Sequence, residues 1–138
     1  MMKNILIVDV DGTIALRNGR EPFQWEFLHT DIPNTAIVQI LQTLNNCGCE
    51  LIYVTGRMEA HRSSTYEWIL RNVAVPGELL MRSEKDFRAD EIVKEELVRN
   101  SKIDLLKVLA VFDDRDRVVK MWREKFSFTC LQVADGEF

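Results

Sequence analysis

The chain has 138 residues, 46% hydrophobic and 29% charged, a length and balance that suit one globular domain spanning residues 1–138 and exclude disordered, fibrous or repeat architectures. Its formal net charge of -4 excludes a protein that coats nucleic acid through bulk basicity, although Arg17, Arg20, Arg57, Arg62, Arg82, Lys85 and Arg88 gather in segments flanking the polar motifs. No signal-peptide pattern follows Met1, no apolar run approaches a membrane span, and the 3 cysteines are an odd number, so a reducing cytoplasm without disulfides is expected, with Cys47, Cys49 and Cys130 as free thiols.

In chain order, the apolar run Ile5-Leu6-Ile7-Val8 reads as a strand buried on both faces, and it ends abruptly in Asp9-Val10-Asp11-Gly12-Thr13. The stretch from Ile14 to Asn34 has room only for a hairpin or modest elements. Pro33 and Asn34 then open a helix from about Thr35 to Cys47, with Ile37, Ile40, Leu41 and Leu44 as its apolar stripe and Gly48 at its end. A second buried strand, Leu51-Ile52-Tyr53-Val54, runs into Thr55-Gly56-Arg57. Helical spacing follows from about Glu59 to Asn72, then a weaker strand from Glu78 to Met81 and a helix from about Ala89 to Ser101. The strand Leu109-Ala110-Val111-Phe112 runs into Asp113-Asp114-Arg115, the helix to Phe126 has a stripe of Val118, Val119, Trp122 and Phe126, and a last strand covers Thr129 to Val133. Trp68 and Trp122 fall in helical stripes and are expected in the core.

Strands alternating with helices predict an α/β, three-layer Rossmann-like domain with a central, mainly parallel sheet. In such sheets the functional loops gather at the carboxyl ends of the strands, where strand order reverses, so the three polar clusters are expected on one edge. Asp9, Asp11, Asp113 and Asp114 would then crowd together, which is unfavourable unless a proton or a cation sits among them. Oxygen ligands without neighbouring histidine or cysteine favour Mg²⁺.

Asp9-Val10-Asp11-Gly12-Thr13 resembles the first motif of the haloacid dehalogenase superfamily of phosphohydrolases, and Thr55, Lys94 and Asp113-Asp114 follow in the order of that family's remaining motifs. The resemblance implies Asp9 as a nucleophile that forms an aspartyl-phosphate and Asp11 as general acid and base. It places Gly12, Thr13, Thr55, Gly56 and Lys94 around the phosphoryl group. Mg²⁺ is implied on Asp9, the backbone carbonyl of Asp11, and Asp114, with Asp113 in support. From the residues themselves, Asp113 and Asp114 are not separable.

The segments Arg17-Asn18-Gly19-Arg20, Asp90-Glu91-Ile92-Val93-Lys94-Glu95-Glu96, Val111 to Arg123 and Gln132 to Phe138 are similar to the phosphatase domain of bacteriophage-type polynucleotide kinase/phosphatase. That resemblance implies removal of 3′-phosphate from RNA or DNA ends, with Arg20 and Arg57 contributing to activity and Asp90 supporting the site. Arginine suits this task because its planar donors pair with phosphate oxygens. No G-x-x-x-x-G-K-S/T loop occurs and 138 residues leave no room for a kinase domain, so kinase activity is not expected of this chain. The short insertions imply a minimal cap and an open site, which admits a polymer end.

Other readings stay open at this point. A nucleotidase or small-phosphoester phosphatase would share the motifs, and an uncapped relative can close its site by oligomerising, which leaves the oligomeric state open. A phospho-acceptor signalling domain would carry its lysine at the end of a late strand, not in a helix as Lys94 is, and a non-catalytic module would have no need of both Asp9 and Asp11. Phe23, Trp25 and Phe27 are placed to stack on a base or to pack locally. His29 and His61 lack metal-ligand spacing and receive no role.

Overall fold

The computed structural model describes residues 3–138. Five strands form one sheet: β1 (Ile5–Val8), β4 (Glu50–Met58), β5 (Glu78–Arg82), β6 (Val108–Asp113) and β7 (Cys130–Gln132). Their order is β5-β4-β1-β6-β7 and every pairing is parallel. A small antiparallel pair, β2 (Ala15–Leu16) with β3 (Ile32–Pro33), and a 3-10 helix at Trp25–Thr30 fill the first insertion. This is the minimal cap expected. Four α-helices follow: α1 (Thr35–Asn46), α2 (Arg62–Asn72), α3 (Asp90–Arg99) and α4 (Asp116–Lys125).

Period-two alternation along β1 explains the layers. Leu6 and Val8 join Leu51, Tyr53 and Phe112 in a core closed by Leu41 of α1 and by Trp68 and Ile69 of α2. Ile5 and Ile7 face the other way, where Ile52, Val54 and Val111 meet Val98 of α3 and Val118, Val119 and Trp122 of α4. Strands covered on both faces must be apolar at consecutive positions, which is why β1 and the start of β4 read as unbroken hydrophobic runs.

Two details differ from the sequence-based expectation. The second strand does not stop at Val54 but continues to Met58, because β5 stays alongside and shifts register between Thr55 and Met58. In α1 the buried residues are Val38 and Leu41, while Ile40 is 46% exposed, so the helix is turned slightly from the stripe predicted. Gly48, at φ +103°, ends α1 in the left-handed conformation that glycine adopts without strain.

After β1 the chain goes to β4 and β5 on one side, then crosses to β6 on the other, so strand order reverses between β1 and β6. There the Asp9 amide donates to the Phe112 carbonyl at 2.9 Å, fixing the end of β1 beside the end of β6.

Candidate active site

Asp9, Asp113 and Asp114 converge at this switch point, with one carboxylate oxygen of each lying within 4.8 Å of the others. All three are buried. Lys94 reaches them from α3 with its side chain almost wholly buried, its Nζ donating to Asp9 Oδ1 at 2.7 Å and to Asp113 Oδ2 at 3.1 Å. Lys94 therefore belongs to the site and not to a solvated helix face. Thr13 is fully buried and donates to Asp9 Oδ2 at 2.9 Å, so its hydroxyl orients the carboxylate. It was expected among the phosphate contacts.

Electrostatics follow from this crowding. Burial, then the charges of Asp113 and Asp114, push the Asp9 carboxyl well above the usual range, with Lys94 working in the opposite direction. Burial also raises Asp114. For Lys94, burial favours the neutral amine, yet Asp113 and Asp9 outweigh it and hold the ammonium form. Three carboxylates against one ammonium leave an excess of negative charge. A hard divalent cation with oxygen ligands fits that donor set, which contains no imidazole or thiolate.

The two adjacent aspartates, inseparable by sequence, have different surroundings. Asp113 is occupied: its Oδ1 accepts from the Asp114 amide at 2.8 Å, and its Oδ2 accepts from Lys94 and from Trp122 Nε1, each at 3.1 Å. Among the described residues, no lysine, arginine or backbone amide of another residue donates to the Asp114 carboxylate. Gly12 makes room for it. A Cβ at Gly12, whose φ is +82°, would lie 2.1 Å from Asp114 Oδ2.

Arg57 grips Asp11 in a forked pair, Nε to Oδ2 at 3.0 Å and Nη2 to Oδ1 at 2.7 Å, and its Nη1 donates to Thr65 at 3.0 Å. Arg20 lies 3.6 Å from Asp11 Oδ1. Both guanidiniums are tied down by Asp31, a residue sequence reasoning passed over. Arg20 meets it in a second fork, at 2.7 and 2.9 Å, and Arg57 donates to it at 3.1 Å. The side chain of Asp31 has no solvent exposure. The remaining donors of Arg20 go to the carbonyls of Glu21 and Pro22. The two arginines, expected to face phosphate, are instead held by Asp31, and Arg57 gives two of its hydrogen bonds to Asp11. The only sequence signal for Asp31 was an aspartate within the insertion from Ile14 to Asn34, which describes many surface residues.

Thr55 is fully buried, and its Oγ1 accepts the Arg57 amide at 3.1 Å, leaving the hydroxyl proton available. Asp90 joins two arginines, accepting from Arg82 at 2.5 Å and from Arg115 at 3.1 Å. Gly56 packs on it so closely that a Cβ would lie 2.4 Å from Asp90 Oδ1. Of the expected site residues, the described structure thus brings together Asp9, Asp11, Gly12, Thr13, Arg20, Gly56, Arg57, Asp90, Lys94, Asp113 and Asp114 around one cavity or directly behind it, with Thr55 in β4 next to Gly56. The cavity has a volume of about 590 Å³, and Asp9 and Asp114 are among the residues that line it.

Cys47, Cys49 and Cys130 are free, and burial pushes the Cys130 thiol up to about 12. His61 sits against the Trp25 ring with 5.6 Å between centroids. No helix among the described residues is long and apolar enough to cross a membrane.

The family model described as the polynucleotide kinase PNKP phosphatase domain matches residues 3–138. Chains solved in two structures of a Pnkp1/Rnl/Hen1 complex, one titled as an RNA repair complex, are 34% identical, with TM-scores of 0.88 and 0.89 over 99% of this chain. A candidate bifunctional polynucleotide kinase/RNA ligase of Autographa californica nuclear polyhedrosis virus is 29% identical over 122 residues. This chain spans 44% and 48% of those solved chains and 18% of the viral relative. A D,D-heptose 1,7-bisphosphate phosphatase from B. bronchiseptica, solved with magnesium and phosphate, shares the fold at a TM-score of 0.65 and 15% identity. With the motif residues of a phosphatase meeting at the switch point and the family match running from Lys3 to the last residue, the chain belongs to the haloacid dehalogenase-type phosphatases of the polynucleotide kinase PNKP phosphatase domain family.

Proposed function

We propose that residues 1–138 act as one phosphatase domain that removes 3′-phosphate from RNA or DNA ends in preference to mononucleotides. The observation that carries this reading is the open cavity over Asp9: the first insertion holds only β2, β3 and a 3-10 helix, so among the described residues no cap domain closes over the phosphoryl site. An uncapped cavity admits a polymer terminus. Similarity to chains of an RNA repair complex supports polynucleotide ends as the substrate class.

In this reading a carboxylate oxygen of Asp9 attacks phosphorus and the bond to the leaving oxygen breaks, while Asp11 gives that oxygen its proton. The Asp11 carboxylate then takes a proton from the water whose oxygen attacks the aspartyl-phosphate. Inorganic phosphate leaves and Asp9 is restored. Arg57, braced by Asp31, holds Asp11 for both transfers, and Arg20 supports it. The Lys94 ammonium has a third proton beyond those given to Asp9 and Asp113, and the Thr55 hydroxyl has its own; both would meet phosphoryl oxygens. Asp9, Asp114 and the backbone carbonyl of Asp11 would hold Mg²⁺, with Asp113 and Lys94 setting their positions. Bound there, the ion supplies positive charge where negative charge develops on the phosphoryl group.

The test is phosphate release with Mg²⁺ from matched oligonucleotides bearing 3′- or 5′-phosphate, beside 3′- and 5′-mononucleotides, with Asp9→Asn as the blank. A strong preference for the 3′-phosphorylated oligonucleotide is expected. Preference for mononucleotides or for 5′-ends would overturn the substrate while leaving the aspartyl-phosphate chemistry in place.

A further inference from the structure

The rim of the cavity carries two aromatic rings for which the phosphoryl chemistry has no use. Phe23, between β2 and the 3-10 helix, and Phe87, between β5 and α3, both line it and are 84% and 82% exposed. A single exposed phenylalanine is ordinary, but two from separate segments at one cavity call for a ligand. The neighbouring rings are already engaged. Arg20 and Arg57 lie 4.9 and 5.2 Å from the Trp25 centroid, and Arg115 lies 4.7 Å from that of Phe138. Among the described residues, neither Phe23 nor Phe87 has such a ring or guanidinium partner.

The loops that carry both rings are held in place by arginines that reach the site itself. Arg20 donates to the carbonyls of Glu21 and Pro22, the two residues before Phe23, while its other end binds Asp31. Arg82 donates to the carbonyls of Asp86 and Arg88, on either side of Phe87, and also to the Gly56 carbonyl and Asp90. Loops fixed in this way lose little freedom when a ligand arrives. One exposed cation, Arg17, stands at the same cavity without a carboxylate partner among the described residues, donating to the Arg20 carbonyl. Exposed aromatic faces beside an uncommitted guanidinium suit single-stranded nucleic acid, whose bases present a π-face and whose backbone is anionic.

We infer that Phe23 and Phe87 form a base-stacking subsite for the unpaired nucleosides next to the reacting phosphate, with Arg17 at the same cavity for the phosphodiester backbone. The inference rests on the substrate reading above and deepens it. A base paired and stacked inside a duplex has no free face to offer, so single-stranded or frayed ends are the ligands.

The experiment measures KM for single-stranded 3′-phosphorylated oligonucleotides that end either in an ordinary nucleoside or in an abasic sugar. The proteins are the wild type, Phe23→Ala, Phe87→Ala and, as the conservative variants, Phe23→Tyr and Phe87→Tyr. Stacking on one ring is worth enough to raise KM about tenfold on the base-bearing end. The abasic end should shift less than twofold, and the tyrosine variants should restore wild-type KM. Equal losses on both ends, or no loss on either, overturn the subsite. A wild type that prefers 3′-oligonucleotides but is indifferent to both alanine variants sinks the subsite alone. A wild type that processes mononucleotides equally well, with base-dependent losses in the variants, sinks the end-healing reading and leaves a base subsite standing.

Discussion

Replacing Asp31 by asparagine tests whether a buried carboxylate remote from the phosphate organises the general acid. Its side chain is fully enclosed and accepts three charge-assisted hydrogen bonds, two from Arg20 at 2.7 and 2.9 Å and one from Arg57 at 3.1 Å. Removing one partner of a buried ion pair costs about 3–5 kcal/mol because the remaining charge is left uncompensated. Asparagine keeps the shape and one acceptor oxygen but turns an N–H₂ toward a guanidinium, so about 2–4 kcal/mol of destabilisation is expected. Against a typical domain stability of about 5–15 kcal/mol, the variant stays folded. Arg57 then loses its brace, and a displacement of Asp11 on the order of 1 Å lowers kcat about 100-fold. Urea unfolding followed by circular dichroism gives the stability change, and steady-state phosphate release gives kcat and KM separately. A folded Asp31→Asn protein with wild-type kcat, or a stability loss below about 1 kcal/mol, would refute the reasoning.

Asp9→Asn should abolish phosphate release while the protein remains folded by circular dichroism, and retained turnover would remove Asp9 as the nucleophile. Asp114→Asn should weaken Mg²⁺ binding by about tenfold or more, measured by calorimetry, because the ion loses a charged ligand. The carboxyls of Asp9 and Asp114, both raised by burial, give the metal-free protein a stability term that is present at low pH and lost as pH rises through their folded-state values. Melting temperatures without Mg²⁺ should therefore fall from pH 5 toward neutrality through this contribution, and added Mg²⁺ should stabilise more at pH 7.5 than at pH 5. A Mg²⁺ effect independent of pH would contradict the assignment. Gly12→Ala places a Cβ 2.1 Å from Asp114 Oδ2 at a φ of +82°, so kcat should drop and half-saturating Mg²⁺ should rise in phosphate-release assays.

Features that depend on local patterning were readable without coordinates. Unbroken apolar runs at Ile5–Val8 and Leu109–Phe112, followed at once by aspartates, need only the rule that strands covered on both faces are hydrophobic throughout and that loops at their carboxyl ends are polar. Asp9, Asp11 and the Asp113-Asp114 pair follow from that rule together with the motif order. The continuation of β4 to Met58 was not readable, since Thr55-Gly56-Arg57 has the composition of a turn and only the neighbouring β5 keeps it extended.

Tertiary structure alone decided what each charged side chain faces. Arg57 meets Asp11 and Asp31 from 46 and 26 residues away, and Arg20 meets Asp31 across 11. No periodicity encodes such partners, so arginines that suit phosphate by chemistry are committed to carboxylates by the fold. The same holds for Asp113 and Asp114, neighbours in sequence that part only because Lys94 and Trp122 occupy one of them. It holds too for Phe23 and Phe87, which become a pair only when two separate loops line one cavity. Sequence patterning determines which surfaces of a strand or helix are buried, because burial follows the repeat of the element itself. The pairing of isolated polar groups depends on contacts between distant segments, and those exist only once the chain has folded.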